Sequence, residues 1–363
     1  MSVEKWSLEL EGMPHFDEAM ARVEAWFAGE IIDRAPVKFS LHNVEFSAAP
    51  VTGKKWDSLR DRWFDAEFQV ENYIRSIEGK HFIAETFPVF YPNLGPNVFA
   101  AFYGGELRYG EVTSWYVHFL KDLSDANELK LNKEGVYYKK ILELTDCALS
   151  QCSGKFMVGY TDLHPGVDCV VDWRSPERMC EDLYEDPEGV KAAIGVATAD
   201  FQSVYDYYDA ILKAHRQLSV TWMGIPSFGK MHIPSCDFSA LISTEMFINI
   251  CMPVTRNEVK QMTHNIWHLD GPGCIRHLDE IMSIPEIQAI QWVQGVGDNE
   301  PILQWAPLIK RIQDAGKSVV VNLHGHELRG FMDAVSPRGI FLCVGAQTEE
   351  EQLTMLKDIE KWR

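Results

Sequence analysis

Apolar residues recur along this chain with two periods, one typical of helices and the other of strands. Phe16, Ala19, Val23 and Phe27 have the helical spacing and predict an amphipathic helix within a leader of residues 1–30. After the leader, short apolar runs suited to strands alternate with longer helical segments. The predicted strands are Val37–Asn43, His81–Phe90, Phe156–Tyr160, Leu218–Met223, a run ending at Asp270, Ile287–Val293, Ser318–Leu323 and Gly339–Val344.

This succession of strand and helix predicts an α/β fold with a parallel sheet. Eight such units are the number found in a closed (β/α)8 TIM barrel. We therefore predict one barrel over residues 31–363, preceded by the helical leader of residues 1–30, with long loops at the C-terminal face of the barrel. A doubly wound open sheet is the structural alternative, but no GxGxxG motif follows the first strand.

The charge of the chain limits the classes of partner. The formal net charge is -19 at pH 7, which disfavours nucleic acid and anionic membranes, because both are bound through basic surfaces. Neither a signal-peptide pattern nor an apolar run of about 20 residues is present, so we expect a cytoplasmic protein. The eight cysteines form no CxxC pair and are interpreted as reduced thiols, most of them in the core.

The carboxyl ends of the predicted strands carry the candidate chemistry, since barrel enzymes place catalytic groups there. His268 and Asp270 end the fifth strand and are two residues apart, so their side chains share a face. This pair suits a metal ion or proton transfer, and a simple histidine–carboxylate hydrogen bond is the structural alternative. Further polar residues at or beyond strand ends are His42, Asn43, Asn93, Tyr160, Asp162, His164, Cys236, Asp237, Gln291, Gln294, Asn322, His324, His326 and Cys343.

Within this set we predict a metal site formed by His268, Asp270 and Cys343. Zn²⁺ accepts nitrogen, oxygen and sulfur ligands, and catalytic zinc commonly keeps three protein ligands. Cys343 is equally suited to be a buried core thiol, since its strand is otherwise apolar. His324, Asp237 and Cys236 are possible substitutes in this ligand set, and Asp237 and His324 are also candidate acid or base groups beside the metal.

Other residues of the set suggest a site that needs no metal. Asp162 and His164 form a candidate acid–base pair, with Asp237 as a second carboxylate whose pKa burial would raise. The candidate substrate-binding residues are His42, Asn43, Asn93, Tyr160 and Trp292, although aromatic residues of this kind also pack at a rim. The chain has no P-loop, GxSxG or HExxH motif, so phosphoryl transfer and serine-triad hydrolysis lack support.

Three segments resemble the uroporphyrinogen decarboxylase (URO-D) superfamily. Asp33–Val37 is similar to the opening Arg-x-Pro-Val strand of that family. Cys236–Ser243 resembles its Asp-containing segment before a helix start, and His268–Gly271 lies where members carry His-x-Cys-Gly. The resemblance covers most of the chain from about residue 30 and implies a single (β/α)8 barrel.

The superfamily contains two chemistries, and the chain differs from one of them. Its decarboxylases use no cofactor and rely on an Asp near the second strand and on Arg residues after the first. Here the first strand continues as Phe39–Asn43, without those Arg residues, and no Asp occurs between Ala66 and Glu106. Decarboxylation of uroporphyrinogen is therefore disfavoured.

The other branch consists of zinc methyltransferases that move a methyl group between a corrinoid protein and a thiol. By position, His268 matches the family histidine, Asp270 replaces the first zinc-binding cysteine, and Cys343 is the counterpart of the second. The resemblance thus implies a metal-assisted methyltransferase that uses zinc, with a corrinoid-carrying partner or a small methylated substrate, in a barrel that often forms homodimers. The alternatives are a cofactor-free decarboxylase or lyase acting on a tetrapyrrole or other carboxylic acid, and a ligand-binding barrel without catalysis.

Overall fold

The structure is a computed structural model that describes residues 3–41 and 53–362. Its strands are β1 (Val37–Leu41), β2 (Val89–Phe90), β3 (Glu106–Tyr109), β4 (Ser114–Val117), β5 (Met157–Val158), β6 (Met231–His232), β7 (His264–Asp270), β8 (Ala289–Val293), β9 (Ser318–His324) and β10 (Ile340–Ala346). Its α-helices are α1 (Phe16–Phe27), α2 (Leu59–Phe64), α3 (Ala66–Ile77), α4 (Val98–Ala101), α5 (Val136–Leu149), α6 (Val167–Arg174), α7 (Pro176–Glu185), α8 (Pro187–Ala199), α9 (Phe201–Ala214), α10 (Thr244–Met246), α11 (Met252–Val259), α12 (Leu278–Met282), α13 (Ala306–Asp314), α14 (Leu328–Ala334) and α15 (Glu349–Ile359).

A curled, six-stranded parallel sheet in the order β1-β10-β9-β8-β7-β6 forms the centre of the fold. Strands β2 and β5 form a separate parallel pair, and β3 and β4 form an antiparallel hairpin. Main-chain hydrogen bonds connect the β2–β5 region to segments near the two edges of the six-stranded sheet. Glu85 N–H donates to Val37 O, and Tyr160 N–H donates to Val220 O, each at 2.9 Å. Across the described residues, strand pairing gives a half-barrel and not a closed ring of eight strands.

The predicted alternation of strand and helix is confirmed for β1 and for β7 to β10, whereas the fourth strand was predicted at the wrong place. Leu218–Met223 is not a strand and contributes only an isolated bridge between Ser219 and Ser227. Leu218, Val220 and Met223 are buried in a turning segment that reverses at Gly224, whose φ is +67°. The fourth parallel strand is instead β6, within the segment predicted as a loop. Burial alone therefore explains the apolar pattern.

Helix α1 packs against the inner face of the sheet. Its apolar side belongs to a buried cluster that includes Ile266, Ala289, Val320 and Phe341, one residue from each of four adjacent strands. Residues two further along these strands share the same face, because side chains alternate along a strand. An apolar layer at the base therefore lies below a polar layer, which begins with His268, Gln291, Asn322 and Cys343.

A second buried cluster lies between the outer face of the sheet and the surrounding helices. None of the helices in the described part of the chain has both the length and the apolar character that crossing a bilayer requires. The polar groups of interest for function therefore lie on the inner face of the sheet, towards the carboxyl ends of its strands.

Candidate functional site

Three side chains at the carboxyl end of the sheet converge closely enough to hold a metal ion. Asp237, His268 and Asp270 each offer a ligand atom, and these atoms all lie within 4.8 Å of one another. His268 is largely buried, with 17% of its side chain exposed, whereas Asp237 is 59% exposed and lies at the mouth. Among the described residues, no other group of three or more histidine, cysteine and acidic side chains has such a geometry. We call it the Asp–His–Asp group.

Local backbone structure explains how strand β7 and the segment after β6 bring this group together. His268 and Asp270 end β7, where Gly271, with a φ of +77°, turns the chain. The N–H of His268 donates to Pro234 O at 3.0 Å, which fixes the segment before Asp237 against β7. Asp237 then begins a 3-10 helix that ends at Leu241.

The carboxylate of Asp168 anchors the start of that 3-10 helix. It accepts hydrogen bonds from the main-chain N–H of Asp237, at 2.9 Å, and from that of Phe238, at 3.1 Å. Both donors would otherwise be unpaired at a helix start. The direction in which Asp237 leaves the main chain is therefore held by a residue from α6.

The ring of His268 is oriented by its neighbours. Its Nδ1 lies 2.6 Å from Gln291 Oε1, and the ring of Trp222 meets it edge-on at 5.5 Å. An amide oxygen accepts, so Nδ1 carries the proton and donates to Gln291. In the neutral ring this assignment places the lone pair on Nε2, which is 4.0 Å from Asp237 Oδ1. His268 thus directs Nε2, which could act as a metal ligand, towards the carboxylates.

The electrostatic environment of Asp237 is dominated by acidic groups. Partial loss of water around the carboxylate and the negative charge of Asp168 raise the pKa of Asp237 to about 6, against the attraction of His268 and His164. Asp270 adds to the repulsion. A bound cation would relieve this repulsion, so the arrangement favours a positively charged ligand.

A second network lies beside the Asp–His–Asp group. His164 Nε2 lies 2.8 Å from Asp162 Oδ1, and its Nδ1 lies 2.9 Å from Ser235 Oγ. Ser235 in turn donates to Asp168 at 3.3 Å. Burial opposes the charged ring, yet the carboxylates of Asp162, Asp237 and Asp168 raise the pKa of His164 to about 10.

The predicted pair of Asp162 and His164 is thus in contact. The raised pKa of His164 also determines the protonation state of its ring. At neutral pH the ring of His164 is an imidazolium that donates from both nitrogens, so it is unsuited to act as a general base. Asp172 is a further carboxyl group near this network, and it accepts a hydrogen bond from Asn97 Nδ2 at 2.7 Å. Burial raises the pKa of Asp172 to about 7, and the charge of Asp168 adds to this effect.

Cys343, predicted as the third metal ligand, does not belong to the Asp–His–Asp group, and Asp237 occupies that position instead. The strand order explains the difference, because β10 is separated from β7 by β9 and β8. Each step between neighbouring strands is about 4.8 Å. Cys343 packs against the inner apolar cluster, and burial raises the pKa of its thiol.

His324 is also separate from the Asp–His–Asp group. Its Nε2 lies 3.0 Å from Glu300 Oε1, and its ring stacks on that of His326 at 5.5 Å. Its main-chain N–H donates to Glu327 at the start of a short 3-10 helix. The structure therefore places His324 at the rim, where it helps to define how β9 ends.

The described residues among the predicted substrate-binding set have structural contacts. Tyr160 is buried and donates its hydroxyl to Met231 O at 2.7 Å, and Asn93 accepts from Gly95 N–H at 2.7 Å within its own turn. Trp292 is fully buried against Trp305, because it follows Gln291 on β8 and so faces the opposite side of the sheet. The other two members, His42 and Asn43, lie outside the described residues.

Four residues of the site were not among the predicted site residues. Gln291 was noted only as a polar residue at a strand end, and Trp222 only as one of several aromatic residues at the mouth that could line a flat or apolar ligand. Ser235 and Asp168 were not singled out. The alternation along β8 would have indicated Gln291, since it occupies the layer of His268. Asp168 had no such signal, because its role depends on where α6 meets the segment after β6.

Comparisons with known proteins identify a fold and no family. No family model matches the sequence, and no curated protein matches it either. A solved methyltransferase from Methanosarcina mazei is similar in structure, with a TM-score of 0.65 and 14% sequence identity, over 94% of this chain and 98% of that chain. At this identity the likeness shows the fold alone, which is shared along nearly the whole length of both chains.

Proposed function

We propose that this protein is a metal-assisted methyltransferase of the URO-D superfamily, related to its corrinoid-dependent branch. The observation that carries the proposal is the convergence of Asp237, His268 and Asp270 at the carboxyl end of the sheet. Support comes from the fold shared with a methyltransferase and from the resemblance of His268–Gly271 and Cys236–Ser243 to family motifs. The same resemblance leads us to propose that β2 and β5 complete an interrupted (β/α)8 barrel.

The donor set fits a divalent metal ion such as zinc. One imidazole nitrogen and two carboxylate oxygens are ligand types that Zn²⁺ accepts, and three protein ligands are typical of catalytic zinc. When bound, the ion would act as a Lewis acid on the group that gives or receives the methyl group. Because carboxylates are harder ligands than thiolates, we propose that the site differs from the family pattern in the acceptor that it prefers.

The residues of this chain have separable tasks in the proposed reaction. Gln291 sets the tautomer of His268, and Asp168 holds the segment that carries Asp237. The imidazolium of His164 places a fixed positive charge beside these acidic groups. We propose a small methylated substrate or a corrinoid-carrying protein as the methyl donor, a cytoplasmic location and a homodimer.

Metal analysis of His268→Ala tests the proposal. We expect stoichiometric zinc in the purified protein, its loss in His268→Ala and in Asp237→Asn, and loss of methyl transfer from methylcobalamin as the probe donor. His324→Ala is the matched control, because it removes a rim histidine outside the group. If His268→Ala retains its zinc, the metal site is elsewhere and the proposal fails.

A cofactor-free lyase or decarboxylase is the second candidate function. It is favoured by Asp172, whose raised pKa keeps a proton available near neutral pH, and by the neighbouring imidazolium of His164. In that case chelators would leave activity on a carboxylic acid intact, and Asp172→Asn would abolish it. The zinc-dependent function predicts the opposite response to chelators.

A further inference from the structure

Two thiols touch directly beside the Asp–His–Asp group. Cys236 Sγ lies 3.4 Å from Cys251 Sγ, and both residues are buried, with relative exposures of 5% and 1%. Cys236 immediately precedes Asp237 in the sequence. Cys251 ends a π-helical turn, Phe247–Cys251, that leads into α11. The pair therefore joins the segment that carries a proposed metal ligand to a helical turn of rare geometry.

We propose that Cys236 and Cys251 form a reversible disulfide that shifts Asp237 within the Asp–His–Asp group. A disulfide bond is about 2.05 Å long, so the two sulfur atoms must approach by about 1.4 Å. Because a close-packed interior resists such a movement, we expect the backbone on at least one side to follow. The effect on metal binding rests on the function proposed above, whereas disulfide formation does not.

The oxidant in this reaction is a small-molecule disulfide. One thiol attacks it as a thiolate and releases one reduced thiol, and the second thiol then displaces the other. Two S–H bonds are lost from the protein and one S–S bond forms, while the two electrons and both protons pass to the two released thiols. The reverse reaction, with an excess of reduced thiol, restores the pair.

Burial limits the access of an oxidant to the two thiols. Asp237, the residue after Cys236, is exposed at the mouth, whereas Cys236 and Cys251 are themselves buried. We expect oxidation to be slower than at the half-buried Cys147 or Cys180, which have no cysteine in contact among the described residues. Selectivity for Cys236 and Cys251 comes from their proximity, not from exposure.

Oxidation of the full-length protein tests the inference. The reduced protein is incubated with oxidised glutathione, and its disulfides are mapped by mass spectrometry of unreduced peptides. Hydrogen–deuterium exchange of the peptide spanning residues 237–241 reports on the backbone independently of any metal. We expect a link between Cys236 and Cys251, altered exchange in that peptide, and a zinc affinity about tenfold weaker that dithiothreitol restores.

Two variants and one control complete the test. Cys251→Ser, or Cys251→Ala if the serine variant does not fold, should make exchange and zinc affinity insensitive to the oxidant. Cys152→Ser removes a buried thiol elsewhere and should behave as the wild type. Failure to form the link, or a link that leaves residues 237–241 unchanged, would overturn the inference. Altered exchange in a protein that binds no zinc in either state would instead overturn the proposed function alone.

Discussion

Gln291 decides which nitrogen of His268 faces the carboxylates. We expect Gln291→Ala to weaken zinc binding by about 10- to 100-fold, because an unoriented imidazole loses its preferred tautomer and direction. Gln291→Glu keeps an acceptor oxygen and should restore most of the affinity. Competition with a chromophoric chelator measures the change, and Gln202→Ala on α9 is the control. Equal losses in the alanine and glutamate variants would argue against an orienting role.

Because Asp172 is a buried carboxyl group, it should make the protein less stable as the pH rises. Its pKa is raised from 3.8 to about 7, mainly by burial, so the folded state binds its proton more tightly than the unfolded state. The resulting destabilisation grows as the pH rises from about 4 to 7 and then stays constant. Asp172→Asn keeps the acceptor for Asn97, so its stability relative to the wild type should increase over that interval.

Urea unfolding at several pH values measures this effect. At pH 8 we expect Asp172→Asn to be more stable than the wild type by on the order of 1 kcal/mol or more. Near pH 4 the two proteins should have similar stability. The exposed Asp146→Asn is the matched control for loss of a carboxylate. A difference that is the same at pH 4 and pH 8 would contradict the assignment.

Among the secondary-structure elements, a buried ion pair connects the start of β1 to the segment before β2. Arg34 donates two hydrogen bonds to Glu85, at 2.7 and 2.9 Å, and Glu85 also accepts from Val37 N–H at 2.8 Å. Glu85 is fully buried and Arg34 nearly so. The family-like segment Asp33–Val37 therefore has a structural role at the amino end of β1, away from the carboxyl end of the sheet.

Breaking this ion pair should destabilise the protein without affecting its metal content. We expect Arg34→Met to lower the free energy of unfolding by about 3–5 kcal/mol, since it leaves a buried carboxylate without its main partner. Lys5→Met removes an exposed pair with Glu24 and should cost about 0–1 kcal/mol. Denaturant unfolding and zinc analysis of both variants provide the comparison. Loss of zinc from folded Arg34→Met would contradict a purely structural role.

The sequence was most informative where one local pattern determines one element. The apolar runs of β7 to β10 predicted those strands, and a period of two predicted that His268 and Asp270 share a face. The fourth strand failed because a buried irregular segment, Leu218–Met223, has the same apolar character as a strand. Asp237 could not be preferred over Cys343, because that choice depends on strand order and on the contact between His268 and Pro234.

For the whole molecule, the position of α1 links the leader to the site. Trp26 is fully buried, donates from Nε1 to Gly339 O at 2.9 Å, and meets Phe341 edge-on at 5.3 Å. Its own carbonyl accepts from Ser318 Oγ at 2.7 Å. The layer that α1 covers lies two residues below His268, Gln291 and Cys343 on the same strands. The leader therefore supports the base on which the polar layer rests.

Truncating Trp26 should therefore destabilise the entire fold. We expect Trp26→Ala to lower the free energy of unfolding by about 3–5 kcal/mol, because it leaves a cavity at the base of the sheet and removes the hydrogen bond from Trp26 Nε1 to Gly339 O. Trp115→Ala on β4 removes a tryptophan that is 58% exposed and should change stability by less than about 0.5 kcal/mol. Deletion of residues 1–30 should yield protein that does not unfold cooperatively, since the apolar layer of Ile266, Val320 and Phe341 would face water. A truncated protein with an unchanged unfolding midpoint would show that the leader is dispensable.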